Sequence, residues 1–116
     1  YVGQFKDDYM DGQGTYTWAN GQNYAGQFKE GKRSGQGVHT KTNGEKYVGQ
    51  FKNDKKSGHG TLTFGKGNWA GDKYVGQFEG GKFNGQGTYY FANGRIKSGV
   101  WEDDKLITVD SDSEEK

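Results

Sequence analysis

The residues of this chain most able to do chemistry are two histidines, a recurring Gly-x-Gly and an acidic run near the C-terminus. His39 and His59 are the only histidines, and there is no cysteine. Two scattered imidazoles without thiolates do not make a zinc site. His59 lies between Gly58 and Gly60, where other copies of the motif carry Gln13, Gln36 and Gln86, so it reads as a surface polar residue. The Gly-x-Gly is not a dinucleotide fingerprint. Its third glycine would fall at Thr17, Thr40, Thr63 or Tyr90, and no helix follows to receive a pyrophosphate. Asp110-Ser111-Asp112-Ser113-Glu114-Glu115 lacks the glycine and the terminal glutamate of a calcium loop. It reads as a solvated acidic tail over 110–116, expected to be disordered. No nucleophile elbow or His-Glu-x-x-His is present. The sequence thus calls for no catalytic residue, no cofactor and no metal, and the reading is of a chain that is not an enzyme.

Charge offers a different chemistry. The net charge is +1, but residues 1–28 sum to −2, residues 29–97 to +8 and residues 98–116 to −5. Two groups, Lys29, Lys32 and Arg33 and then Lys52, Lys55 and Lys56, recur in equivalent inter-strand loops. Such basic loops attract anionic lipid at about 1 kcal/mol per side chain near a membrane surface. They equally suit an acidic protein, or simply solubility. Nucleic acid is the weakest fit, because the rings that would stack on bases are needed inside the sheet.

The elements that position these residues come from a repeat. Tyr1-Val2-Gly3-Gln4-Phe5 returns as Tyr24-Ala25-Gly26-Gln27-Phe28, Tyr47-Val48-Gly49-Gln50-Phe51 and Tyr74-Val75-Gly76-Gln77-Phe78. A degenerate fifth copy is Lys97-Ser98-Gly99-Val100-Trp101. The period is 23 residues except for a four-residue insertion in repeat three, at 65–73. The chain has 116 residues, of which 22 are Gly and none Pro, and only 28% are apolar. Its 3 Trp, 8 Tyr and 7 Phe replace the missing aliphatics. That composition opposes a conventional core, the lack of Pro excludes collagen, and no apolar run is long enough for a membrane-spanning helix.

Each repeat alternates with period two, which predicts two strands and no helix. A polar loop from Lys6 to Asp11 is expected between them. Asn20-Gly21, Asn43-Gly44 and Asn93-Gly94 mark the following turns, because Asn-Gly tolerates φ > 0 and is the strongest short hairpin signal. The expected fold is all-β: an elongated, twisted, antiparallel, single-layer sheet of repeated hairpins with about nine strands. Its repeats span 1–23, 24–46, 47–73 and 74–96, with a half-repeat or cap at 97–109. Gly3, Gly26, Gly49 and Gly76 are expected to lie under rings of neighbouring strands, since a residue without Cβ lets a ring lie flat. Repeat two departs from the pattern. His39 stands where the others have Tyr16, Leu62 and Tyr89, and Lys41 where they have Trp18, Phe64 and Phe91. Either the repeat has drifted, with the lysine stem lying over rings, or these are polar contacts for a ligand.

The order Tyr-x-Gly-x-Phe, Gly-x-Gly-x-aromatic-x-aromatic, Asn-Gly resembles the MORN (membrane occupation and recognition nexus) repeat over about residues 1–101. The resemblance implies the same elongated sheet of hairpins, with roles in protein scaffolding or membrane lipid contact. The leading expectation is a non-catalytic scaffold whose aromatic groove, formed by Tyr16, Trp18, Phe64, Tyr89 and Phe91, holds a helix or extended peptide of a protein partner. The alternatives are a membrane-surface module acting through the basic loops and an accessory region of a larger enzyme such as a lipid kinase. Unpaired sheet edges offer a route to oligomers.

Overall fold

In a computed structural model the chain is one sheet of ten antiparallel strands, each paired with the next in sequence. Residues 1–67 and 69–114 are described, 110–114 by backbone alone. The strands are β1 (Val2–Lys6), β2 (Tyr9–Thr17), β3 (Asn23–Lys29), β4 (Lys32–Thr40), β5 (Lys46–Lys52), β6 (Lys55–Thr63), β7 (Lys73–Glu79), β8 (Lys82–Tyr90), β9 (Arg95–Glu102) and β10 (Lys105–Glu114). The sheet measures 50 × 25 × 19 Å, and no described residue is helical. The fifth copy is a full hairpin, so the described residues form ten strands rather than nine. β10 runs past the expected end of the array at 109, to Glu114. Its backbone register places residue 112 opposite Lys97 and residue 114 opposite Arg95. Residues 115–116 of the acidic tail lie outside the described residues.

The two kinds of turn are the reverse of the sequence expectation. The polar loop is only two residues long: Asp7 and Asp8, with φ of 51° and 67°, join β1 to β2. Asn53-Asp54 and Asp103-Asp104 do the same in later repeats. Positive φ at both central residues matches the twist of the flanking strands, and Asp and Asn are among the few side chains that accept it. The Asn-Gly turns are wider. Gly21 sits at φ 95°, while the Asn20 side chain accepts a hydrogen bond from the Gln22 amide at 3.0 Å. Asn43 and Asn93 hold the Glu45 and Arg95 amides in the same way. Asparagine acts there through its carbonyl oxygen rather than through φ.

The core is one face of this single layer. Gly3, Gly14, Gly26, Gly37, Gly49, Gly60, Gly76, Gly87 and Gly99 face one another in register across β1 to β9. The rings of Tyr1, Tyr24, Tyr47 and Tyr74 cover Gly14, Gly37, Gly60 and Gly87. The ring-covered glycines are therefore those of the second strand in each hairpin. Gly26, Gly49 and Gly76 instead face the backbone of that strand at about 2.5 Å from where a Cβ would sit. That closeness follows from a bulge at the intervening glutamine, because the register shifts between Gly49 and Phe51 and at each equivalent place. The bulge leaves an amide of the partner strand unpaired, and the glutamine side chain accepts it: Gln50 Oε1 from the His59 amide at 3.1 Å, for example. Each tyrosine hydroxyl donates to the carbonyl of that glutamine, at 2.7 Å for Tyr47 and Gln50. Tyr24, Phe51, Tyr47, Phe78 and Tyr74 then meet edge to face, with centroids 5.0–5.1 Å apart, the arrangement that ring quadrupoles favour. Burial pushes the phenols of Tyr24, Tyr47 and Tyr74 up to about 12.

Candidate functional site

The ring face carries more than the ladder. Toward the C-terminal half it holds a groove of about 640 Å³, with Leu62, Phe64, Trp69, Phe91, Trp101 and Leu106 among its apolar walls. β6 contributes Leu62, and Phe64 follows its end. Phe91 follows β8, and the β9–β10 hairpin contributes Trp101 and Leu106. Phe64 and Phe91 are half-buried, while Tyr89 is only 8% exposed and belongs to the floor. The Tyr89 hydroxyl donates to Asp72 Oδ2 at 2.7 Å. Burial, reinforced by that carboxylate, pushes the Tyr89 phenol further up than those of the ladder. Asp72 Oδ1 accepts the Ala92 amide at 2.8 Å. One buried carboxylate thus ties the repeat-three insertion to the turn after β8. The same insertion hangs Trp69, 59% exposed, over the rim with its ring 6.3 Å from that of Phe64.

The expected aromatic set is divided. Phe64, Tyr89 and Phe91 come together, whereas Tyr16 and Trp18 pair with each other at 4.9 Å farther along the sheet. Side chains of repeats two and three lie between the groups. Arg33 spreads over Trp18, Tyr24 and Phe51, 5.1 Å from the last centroid, and its Nε meets Asp54 Oδ1 at 3.1 Å. Lys56 reaches over Tyr47 at 5.7 Å. Lys41 pairs with Glu45 at 3.0 Å.

The expected basic patch changes in consequence. Lys29, Lys32, Lys52 and Lys55 are exposed where the strands enter the tight turns. Arg33 and Lys56 turn onto the ring face instead, because β-strand side chains alternate between faces. They occupy the slot filled by Met10, Phe83 and Leu106 in the other hairpins. Lining up the repeats at that slot is the signal that exposes the misplacement. Trp69 lies in the inserted residues, which have no equivalent in other repeats, whereas Asp72 takes the slot of Gln22 and Glu45, whose backbone carbonyls accept the equivalent amide. Among the described residues no group of three His, Asp or Glu could hold a metal ion.

A family model described as the MORN repeat matches residues 1–23, 24–46, 47–69 and 74–94. The chain belongs to the MORN-repeat family. No curated protein matches it. MORN arrays are scaffolds or membrane-binding modules and are generally non-catalytic. In this MORN array, residues 70–73 fall between the third and fourth matches, and they contain Asp72, the groove's buried anchor.

Proposed function

We propose that this MORN array is a scaffold that binds a protein segment, a helix or an extended peptide, in the groove between Phe64, Trp69 and Phe91. One observation carries the reading: among the described residues nothing packs on the ring face of this single-layer sheet, and there Trp69 and the half-buried Phe64 and Phe91 border a groove of about 640 Å³. Aromatic side chains at the centre of a recess are the usual anchors of protein recognition. Membrane contact through the basic residues draws less support. Two of the six, Arg33 and Lys56, leave the hairpin ends for the ring face.

The test uses 15-residue peptides selected from a random library on the immobilised protein. Their affinities are then measured by calorimetry for the parent, for Phe91→Ala and for Lys52→Glu/Lys55→Glu. The groove reading expects Phe91→Ala to weaken binding at least tenfold and the charge reversal to change it less than threefold. The opposite ranking, accompanied by flotation on phosphatidylserine vesicles that salt abolishes, transfers the function to the hairpin ends.

A further inference from the structure

Repeat two and the start of repeat three place four basic or titratable groups in slots that hold apolar side chains elsewhere in the array. Arg33 and Lys56 take the slot of Met10, Phe83 and Leu106, His39 that of Tyr16, Leu62 and Tyr89, and Lys41 that of Trp18, Phe64 and Phe91. The structure gathers these four around a pocket of about 170 Å³ with Phe51 in its wall. Lys41 and Lys56 line the apolar groove as well, so the groove runs directly into the pocket. The pocket's own lining carries Arg33, Lys41, Lys55 and Lys56 against the single carboxylate of Asp54. Asp54 is taken by the Arg33 amide and guanidinium and Glu45 by Lys41, while Asp104, whose Oδ1 accepts the Phe83 amide, acts on Lys56 only from a distance. Lys56 has no carboxylate within 4.0 Å among the described residues. Burial lowers the Lys56 ammonium pKa, with Lys41 the next cause. Burial, then Arg33, Lys41 and Lys56, hold His39 down at about 4. A half-buried ammonium among other cations is a site waiting for an anion.

We propose that this pocket receives the side-chain carboxylate of the segment bound in the groove, so that the partner is an apolar segment with an Asp or Glu next to its anchor residues. The inference rests on the groove reading and specifies the partner's chemistry. Charge complementarity favours an acidic peptide, since the groove is walled by Phe64, Trp69, Phe91 and Leu106 with Lys97 among them, and its inner end is cationic. A segment lying along the groove carries its acid into the pocket. A flat bilayer meets the protruding hairpin ends first.

The experiment repeats the random peptide selection on the parent and on Lys41→Phe/Lys56→Met. These substitutions restore residues that other repeats carry, and thermal unfolding checks that the variant is folded. The parent is expected to enrich Asp or Glu at a fixed offset from an aromatic or aliphatic anchor. Changing that acid to its amide should weaken binding to the parent about tenfold and leave binding to the variant unchanged. Peptides selected without an acidic bias, or indifferent to the amide change, overturn the inference; the groove reading survives that result if Phe91→Ala still loses binding. Retained binding in Phe91→Ala overturns both. If phosphatidylserine vesicles bind the parent but not Lys41→Phe/Lys56→Met, and no peptide is selected, the pocket is a lipid headgroup site and the inference is wrong.

Discussion

Alanine at Gly60 probes the ladder that builds the ring face. A Cβ on Gly60 would lie 2.5 Å from Tyr47 Cζ and nearer still to the hydroxyl and Cε1. That ring is 1% exposed. It is held edge-on between Phe51 and Phe78, 5.0 Å from each, and tied through its hydroxyl to Gln50 O. It can move only by giving up contacts. Loss of the hydrogen bond costs about 1 kcal/mol, and each weakened edge contact up to about 1 kcal/mol. Overpacking of a close-fitted core typically costs about 1–3 kcal/mol. These describe one displacement from different sides, so the expected loss is about 2–4 kcal/mol. At roughly 4 °C per kcal/mol for a chain of this size, the thermal midpoint should fall by about 8–16 °C. The assay is thermal unfolding followed by circular dichroism, with Gly80→Asn as control. Gly80 has φ 59° and no neighbouring atom within 4 Å of where its Cβ would sit, and Asn53 occupies the equivalent turn position. The control should stay within about 0.5 kcal/mol of the parent. If Gly60→Ala unfolds within about 1 kcal/mol of the parent, the rings do not depend on the glycine row and the packing argument is wrong.

Three further outcomes are expected. Asp72→Ala strands the Tyr89 hydroxyl and the Ala92 amide; it should cost about 2–4 kcal/mol and change the emission of Trp69 as the insertion loosens, and an unaltered midpoint would deny the carboxylate its anchoring role. His39 is held at about 4 in the folded chain against 6.5 unfolded, so its stabilisation is complete above pH 6.5 and lost as pH falls toward 4. The lost stability, discounted for partial exposure, is about 1–2 kcal/mol, and His39→Tyr, the residue of the equivalent slots, should remove that part of the acid sensitivity in pH-dependent unfolding curves. Tyr24, Tyr47 and Tyr74 are raised to about 12, so stability from their neutral phenols is present below pH 10 and lost as pH rises through 12. Ultraviolet titration should show the three ionising together with unfolding, and free ionisation near pH 10 would contradict their burial.

The repeat was legible because the sheet's chemistry is periodic. Tyr47, Gly49 and Phe51 recur at fixed offsets, and the same spacing fixes both the ladder and the Gly-Gly register. The turns were less legible. Asn-Gly is compatible with a tight hairpin by φ alone, and only the Asn20 carbonyl contact to the Gln22 amide separates the wider turn from it. Asp7-Asp8 looked like ordinary loop polarity, yet its short polar side chains are what permit two successive positive φ values. The bulge at Gln50 was hidden for a related reason: alternation predicts a side chain on the polar face, not one folded back onto its partner strand's amide. In the groove, Phe64 and Phe91 followed from the repeat, whereas Tyr89 was placed as a reachable ring although Asp72 locks it into the floor. Trp69 has no repeat to read it against, while Asp72 holds Tyr89 as Gln22 holds His39, with a carboxylate in place of an amide. Arg33 and Lys56 read as loop charges only while the expected loop is long. Shortening it to two residues puts both on the ring face.

The proposed partner site of this MORN array is the groove at Phe64, Trp69 and Phe91. Amide and aromatic NMR spectra recorded while a selected peptide is titrated into the parent protein test it most directly. The account predicts shifts concentrated at Leu62, Phe64, Trp69, Phe91 and Leu106, extending to Lys41 and Lys56, with Val48 and Val75 on the opposite face unmoved. Shifts confined to Lys29, Lys32, Lys52 and Lys55 at the hairpin ends, or to Val48 and Val75, would contradict it.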